Sequence, residues 1–423
     1  MPRGSHRRRV STFIGMTVAP IVVIGGLQFE SLGLRVARFG SVGVKAAAGQ
    51  QSNQPAVRHQ DYFVSAQPDN VVWGGFPIDV PAVLTLRSGD TVRIDTISQS
   101  GATAAVDPVT YFGQFGVKPG EVLKDVRDFW TSIPSRSRYG PHVLTGPIYV
   151  EDAEPGDMLE VQILDLNARA PYGLNNTSPL GGVLGTGYPG FRPGDSGLDI
   201  PAAPPGSIAG IFPGVRQHLY RIGKSKGREV AFFSNAIEVP ITPFMGVMGV
   251  APEDGVFVGS SPTSPPPPLG VQGSGPPGRF GGNMDLHDLT VGATLYLPVF
   301  QHGAQFFTGD PHSAQGDGEV SGTAIEHSLS GVFRFVLHKG KTIEWPRAED
   351  ATHYMMMGID HDLNRAMRLA TLEVVKFLVE KKGLTPARAF SLASIAVDFH
   401  AAEVVDGTQL IVGKIAKDLF LKK

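Results

Sequence analysis

From about residue 58 the chain is written in short runs that alternate apolar and polar side chains, broken by Gly-Asp turns. Val83 to Leu86 alternates, Gly89-Asp90 interrupts, and Thr91 to Asp95 alternates again. Ile148 to Val150, the turn Glu154-Pro155-Gly156-Asp157, and Leu159 to Ile163 repeat the design, and Leu289 to Val299 is a looser copy around Val291-Gly292-Ala293. Alternation with period two marks strands with one buried face. Strand-turn-strand units with a polar outer face favour an antiparallel sandwich over a parallel α/β sheet. The expected fold is therefore mainly β (α+β), an antiparallel sandwich with helices at the C-terminus.

Those helices follow from a different period. Leu363, Met367, Ala370, Val374 and Leu378 form one stripe of a helix that Asp360 can cap, with Lys381 and Lys382 at its end and Gly383 to stop it. Thr385-Pro386 opens a second helix, with Pro386 at the first helical position. Met355-Met356-Met357 reads as core. Two segments lack either period: residues 179–214, and residues 260–278 with Pro265 to Pro268 in a row. They read as long Pro/Gly-rich loops.

Composition narrows the function. The 423 residues carry a net charge of -2, no electrostatic footprint for nucleic acid. Gly 53 and Pro 34 agree with many turns. The absence of cysteine excludes disulfides, thiolate zinc sites and every cysteine-nucleophile hydrolase. At the N-terminus, Arg7-Arg8-Arg9 precede an apolar run from Phe13 to Leu27, with Ala46-Ala47-Ala48 further on. Paired arginines before a modest apolar segment resemble a twin-arginine export signal. Residues 1–48 are thus expected to be signal and linker, 49–423 the functional domain, and the compartment periplasmic. An uncleaved segment would give a membrane anchor, and a non-functional one a cytoplasmic protein. Pro2 to His6 also resembles the linker of an expression tag.

The densest chemistry is Gly309-Asp310-Pro311-His312-Ser313-Ala314-Gln315-Gly316-Asp317-Gly318-Glu319, with Gly281-Gly282-Asn283-Met284-Asp285 upstream. Carboxylate oxygen and imidazole nitrogen suit zinc, manganese or calcium, and glycines let neighbouring side chains converge. The plain alternative is a polar turn. A glycine loop holding a divalent cation is expected, with Asp285 and His312 as ligands and Asp310 as a further ligand or support. Glu319 would shuttle the proton while Asp317 orients it or binds a second ion, with either of the two open as the general base; a strand from Asp317 would put both on one face. Asn283 and Gln315 could bind substrate, and Asn283 could equally hold the turn. His302, His353 and His400 read as structural or surface.

In these motifs the chain resembles the acetamidase/formamidase family of metal-dependent amide hydrolases. The likeness rests on Gly282 to Asp285, Leu295 to Val299, Gly309 to Glu326, His142 to Pro147, Glu154 to Asp157 and Val404 to Gly407, in consistent order over about residues 58–423. It departs at Pro311, Ser313 and Ser321, and Gln99 to Asp128 matches nothing. The resemblance implies a jelly-roll-type sandwich, a small-molecule amide substrate, a homo-oligomer, and His142 as a third ligand, although His142 could be a turn histidine. It implies attack of a metal-activated water on a linear carboxamide, releasing ammonia and a carboxylic acid. The competing expectations are a zinc-dependent lactam or ester hydrolase and a non-catalytic calcium-binding β-sandwich module.

Overall fold

The structure, a computed structural model, describes residues 62–133, 139–178, 181–184, 188, 216–255, 257–259 and 266–421. The expected export signal and most of the loop 179–214 lie outside them. With strands numbered along the chain, a nine-stranded sheet runs β1 (Tyr62–Val64), β5 (Thr91–Asp95), β17 (Leu329–His338), β7 (Met158–Ala168), β15 (Thr294–Pro298), β18 (Arg347–Glu349), β19 (His353–Asp360), β21 (Gln409–Ala416), β20 (Val397–Glu403). A second sheet runs β14 (Gly281–Asn283), β12 (Phe244–Gly249), β16 (Phe306–His312), β6 (Val143–Val150), β2 (Val71–Trp73), with β4 (Leu84–Leu86) also on β6. A four-stranded sheet is made of β11 (Ile237–Pro240), β10 (Arg228–Ser234), β9 (Arg216–Ser225) and β8 (Tyr172–Thr177), and β13 (Val271–Gly273) pairs with β3 (Gly75–Pro77). Ladders between these strands are antiparallel except β1 with β5 and β4 with β6.

The first two sheets face each other. Leu144, Ile148, Val247 and Phe306 from one meet Val92, Leu159, Val161, Phe333, Phe335 and Met355 from the other in a single core. The alternation in Leu295, Leu297 and Val299 points all three inward, with Tyr296 turned out. Met355, Met356 and Met357 are buried as expected.

The strand-turn-strand units do not close as hairpins. β4 belongs to the second sheet and β5 to the first; β6 and β7 divide in the same way. Each turn carries the chain from one layer to the other. Alternation fixes which face of a strand is buried and says nothing of its partner, so the two arrangements look alike in sequence. The expected strand from Leu289 shortens to β15, because Leu289 to Ala293 is a turn with Gly292 at φ 91. The expected loop 260–278 contains the short strand β13.

Five helices are present among the described residues: α1 (Gln99–Ala102), α2 (Pro108–Gly113), α3 (Lys124–Ser132), α4 (Leu363–Lys382) and α5 (Pro386–Ala396). The last two are those expected. Asp362, not Asp360, caps α4, its carboxylate accepting from Arg365 N at 3.0 Å; Asp360 ends β19 instead. Gly383 closes the helix at φ 66, and Thr385 caps α5. The stripe is buried only from Ala370 on, with Leu363 and Met367 exposed.

Candidate active site

The second sheet brings the acid-bearing segments together. β14 and β16 flank β12, so Asp285, just past β14, and Asp310, on β16, approach Gly246 of β12 from opposite sides. The amides of Met284 and Asp285 donate to the Gly246 carbonyl at 3.0 and 3.2 Å. A Cβ on Gly246 would lie 2.3 Å from Asp285 Oδ1 and 2.7 Å from Asp310 Oδ2. Only glycine fits between these carboxylates.

The expected glycine loop is half strand. Gly309 to His312 are buried within β16, and the turn begins after them. Pro311 therefore does not reshape a loop; it sits opposite Met245, and its carbonyl accepts from His327 N at 2.8 Å. His312 is fully buried and faces acids with both nitrogens. Nδ1 lies 3.5 Å from Asp285 Oδ1, and Nε2 lies 3.3 Å from Asp310 Oδ2 and 3.1 Å from Glu326 Oε1. Two groups result, Asp285, His312 and Glu319, and Asp310, His312 and Glu326, each with one ligand atom per residue within 4.8 Å of the others.

His142 stands beside the second group, its Nε2 3.6 Å from Asp310 Oδ2. Its Nδ1 is 3.0 Å from the Ser274 carbonyl. A carbonyl only accepts, so Nδ1 carries the hydrogen and Nε2 presents a lone pair to the centre, the arrangement usual for a ligating imidazole.

Asp317 and Glu319 part company. The segment is a turn, not a strand: Gly318 has φ 89, Glu319 has φ 43, and Gly318 N donates to Ala402 O at 2.9 Å. These left-handed angles break the alternation that a strand would impose. Glu319 is buried in the centre while Asp317 stays half-exposed, 3.0 Å from His400 Nδ1 and 3.7 Å from His287 Nδ1. His400 thus belongs to the rim of the centre.

Gln315 braces the centre. Its oxygen faces His312 Nδ1 at 3.2 Å, and its nitrogen donates to Asp285 O at 2.6 Å and Ala402 O at 3.3 Å. Asn283 is buried on β14 with Oδ1 unpaired.

Sequence reasoning gave no role to several members. Gln99 of α1 donates at 2.8 Å to both Asp310 Oδ1 and Glu326 Oε2. Glu403 and Asp406 are packed behind Asp285, Glu403 Oε2 accepting from the amides of Val405 and Asp406 at 2.9 and 3.2 Å. Glu326 and Asp406 lie inside stretches matched to the family, and Gly246 is a glycine within a buried strand, a signal of close approach. Gln99 carried no such mark.

So many buried acids cannot all ionise. Burial, then Asp310 and Asp406, push Asp285 well above the usual range; burial and Asp285 do the same to Glu319. Burial raises Glu326 to about 7 against the pull of His312, and burial with Asp285 raises Glu403 to about 8. For Asp310 burial works against the charge, yet His312 and His142 outweigh it and hold the group low. Burial likewise opposes charge on His312, but Asp310 and Glu326 keep it well above its ordinary value. Burial lowers His142.

These residues fit a divalent cation. Asp285 Oδ1 and Oδ2 and His312 Nε2 are buried without a hydrogen-bond partner, and the missing Cβ at Gly246 leaves space among them. Oxygen and imidazole donors of this kind suit zinc or manganese.

The class of protein is thereby set: a mainly antiparallel β-sandwich with a buried acid and imidazole centre on one sheet. A family model described as "Acetamidase/Formamidase family" matches residues 133–259 and 272–421, and the chain belongs to that family. It is 27% identical over 281 residues to an acetamidase of Mycolicibacterium smegmatis, spanning 57% of this chain and 60% of that protein. It is 26% identical over 373 residues to a formamidase of Methylophilus methylotrophus, spanning 78% of this chain and 84% of that one. The fold matches the crystal structure of a recombinant predicted acetamidase/formamidase from Thermoanaerobacter tengcongensis, with TM-score 0.63, 22% identity, and 85% and 96% of the two chains covered.

Proposed function

We propose that this protein hydrolyses linear carboxamides, releasing ammonia and a carboxylic acid, and uses a divalent cation, zinc or manganese. The observation that carries the reading is His312, shared between two buried acid groups, with a protonatable Glu319 in one of them. The named activities of the relatives support it.

Asp310, His312 and Glu326, with Asp285 beside His312 and His142 adding its Nε2 lone pair, would hold the cation and leave Glu319 free to move a proton. When bound, the cation supplies Lewis acidity toward an amide carbonyl. The other difficulty of amide hydrolysis, a poor nitrogen leaving group, needs a proton. Glu319, buried in the centre and pushed well above the usual range by burial and Asp285, is placed to carry a proton to the departing nitrogen. Gln99 and Gln315 hold the acids and His312 in place. The half-exposed Asp317 has no such burial, and His400 and His287 together keep it below the usual range although desolvation opposes this. That favours Glu319 for the proton transfer and Asp317 for a place at the rim.

The test combines elemental analysis of the isolated protein with ammonia release from formamide and acetamide, with and without a chelator. Zinc or manganese near stoichiometry and chelator-sensitive ammonia are expected. Ammonia release indifferent to a chelator that strips the protein would remove the cation from the reading. Calcium alone without turnover would favour a binding module, against which the buried imidazole already argues.

A further inference from the structure

Beside the centre a cavity of about 950 Å³ opens toward solvent, with Glu319 and Gln315 on one wall. Formamide or acetamide would occupy a small fraction of it, since pockets on the order of 300–1,000 Å³ suit ligands of drug size. Its lining is also apolar: Tyr220, Phe233 and Val239 from the four-stranded sheet, with Val291, Val320 and Ile325. Tyr220 and Phe233 stack with ring centroids 5.2 Å apart and planes at 19°. Phe233, Val291 and Val320 are each about half exposed. Large apolar groups left in water around a concave surface mark a site that a ligand covers.

Resting on the amide-hydrolase reading, we infer that the substrate is a primary amide with an aromatic side arm: the arm packs beside Phe233 and Tyr220 while the carboxamide lies at Glu319. The lining supplies both ends: Asp317 and His287, 3.7 Å apart, lie on turns beside Glu319 in sequence or in space, and the aromatic pair comes from β9 and β10. An aromatic ring gains area burial and edge or stacking contacts there. A methyl group gains neither.

The test compares ammonia release from phenylacetamide and acetamide by the wild type, Phe233→Ala and Val291→Trp, the last filling the cavity from an exposed position. The expected kcat/KM for phenylacetamide exceeds that for acetamide by about tenfold or more, and both variants lower the ratio by about tenfold, mainly through KM. A wild-type ratio at or below one, or a ratio unmoved in both variants, overturns the inference. If neither amide is hydrolysed, the amidase reading fails, and calorimetric titration with phenylacetamide decides the cavity by itself. Binding weakened about tenfold by Phe233→Ala supports an aromatic-arm site; no binding to the wild type overturns it.

Discussion

Gly246 and Asp285 are in contact so close that the position of one excludes a side chain on the other: any Cβ at 246 would overlap the Asp285 carboxylate at 2.3 Å. The strand that separates the two acid-bearing segments is therefore also what shapes the space between their carboxylates.

Gly246→Ala should consequently empty the centre without unfolding the sandwich. The added carbon displaces Asp285 and Asp310 together, while the ladders of β12 with β14 and β16 use only backbone groups. Bound metal is expected to fall by about tenfold or more, the loss that misplaced ligands bring. Elemental analysis beside far-ultraviolet circular dichroism checks this, and full metal content in the variant would contradict it.

Glu319→Gln and Asp317→Asn should differ sharply. Removal of a general acid costs about 10²–10⁴ in kcat, and that role is the one proposed for Glu319, which is buried in the centre. Asp317→Asn removes only partners of His400 and His287 at the rim, so a change of less than about tenfold is expected. Initial rates of ammonia release for the two variants decide it; equal losses would return the proton transfer to Asp317.

The metal-free protein should lose stability as pH rises across neutrality. Glu326 titrates at about 7 and Glu403 at about 8 in the folded chain, against an ordinary 4.5. Below that ordinary value both states hold the protons and the contribution is fully present. Between there and about pH 8 the unfolded chain releases protons that the folded chain retains, so stability falls. His312, raised well above its ordinary 6.5, acts with the same sign. Asp310, held low, acts oppositely in acid, and His142 and His327, lowered by burial from their ordinary 6.5, act oppositely below that value. A Tm that falls as pH rises from 6.5, the ordinary histidine value, to about 8, with a flatter slope in Glu403→Gln, is the expected record from thermal unfolding after chelation. A Tm that climbs over that interval would mean the acids are not crowded as described.

The two ends of α4 should respond differently to truncation. Leu378 is fully buried and Met367 is 39% exposed, although both belong to one periodic stripe. Leu378→Ala should cost about 2–5 kcal/mol, and Met367→Ala within about 0.5 kcal/mol, both read from urea unfolding. Similar losses at the two positions would show that the whole stripe is covered.

Much of this was legible from sequence for identifiable reasons. The strands of the sandwich follow from period-two alternation, and α5 begins where Thr385 and Pro386 put it. Asp285, Asp310, His312 and Glu319 meet as their acid- and glycine-rich surroundings implied. What alternation hides is the partner of each strand, so it does not show that these turns cross from one layer to the other. Local pattern also misses contacts made across the chain. Gln99 reaches Asp310 and Glu326 from a segment with no motif, and the helix cap moved from Asp360 to Asp362 because β19 extends through Asp360.

The layer-crossing turns bear on how the molecule comes to exist. Asp285 and Asp310 sit on one sheet, yet the chain between them leaves to form β15 in the other and returns. No local nucleus can bring the two together ahead of that excursion, and contacts of large sequence separation form slowly because loop closure precedes their reward. The centre is therefore complete only when segments far apart in the chain have met, Gln99 joining Asp310 across 211 residues and Glu326 across 227.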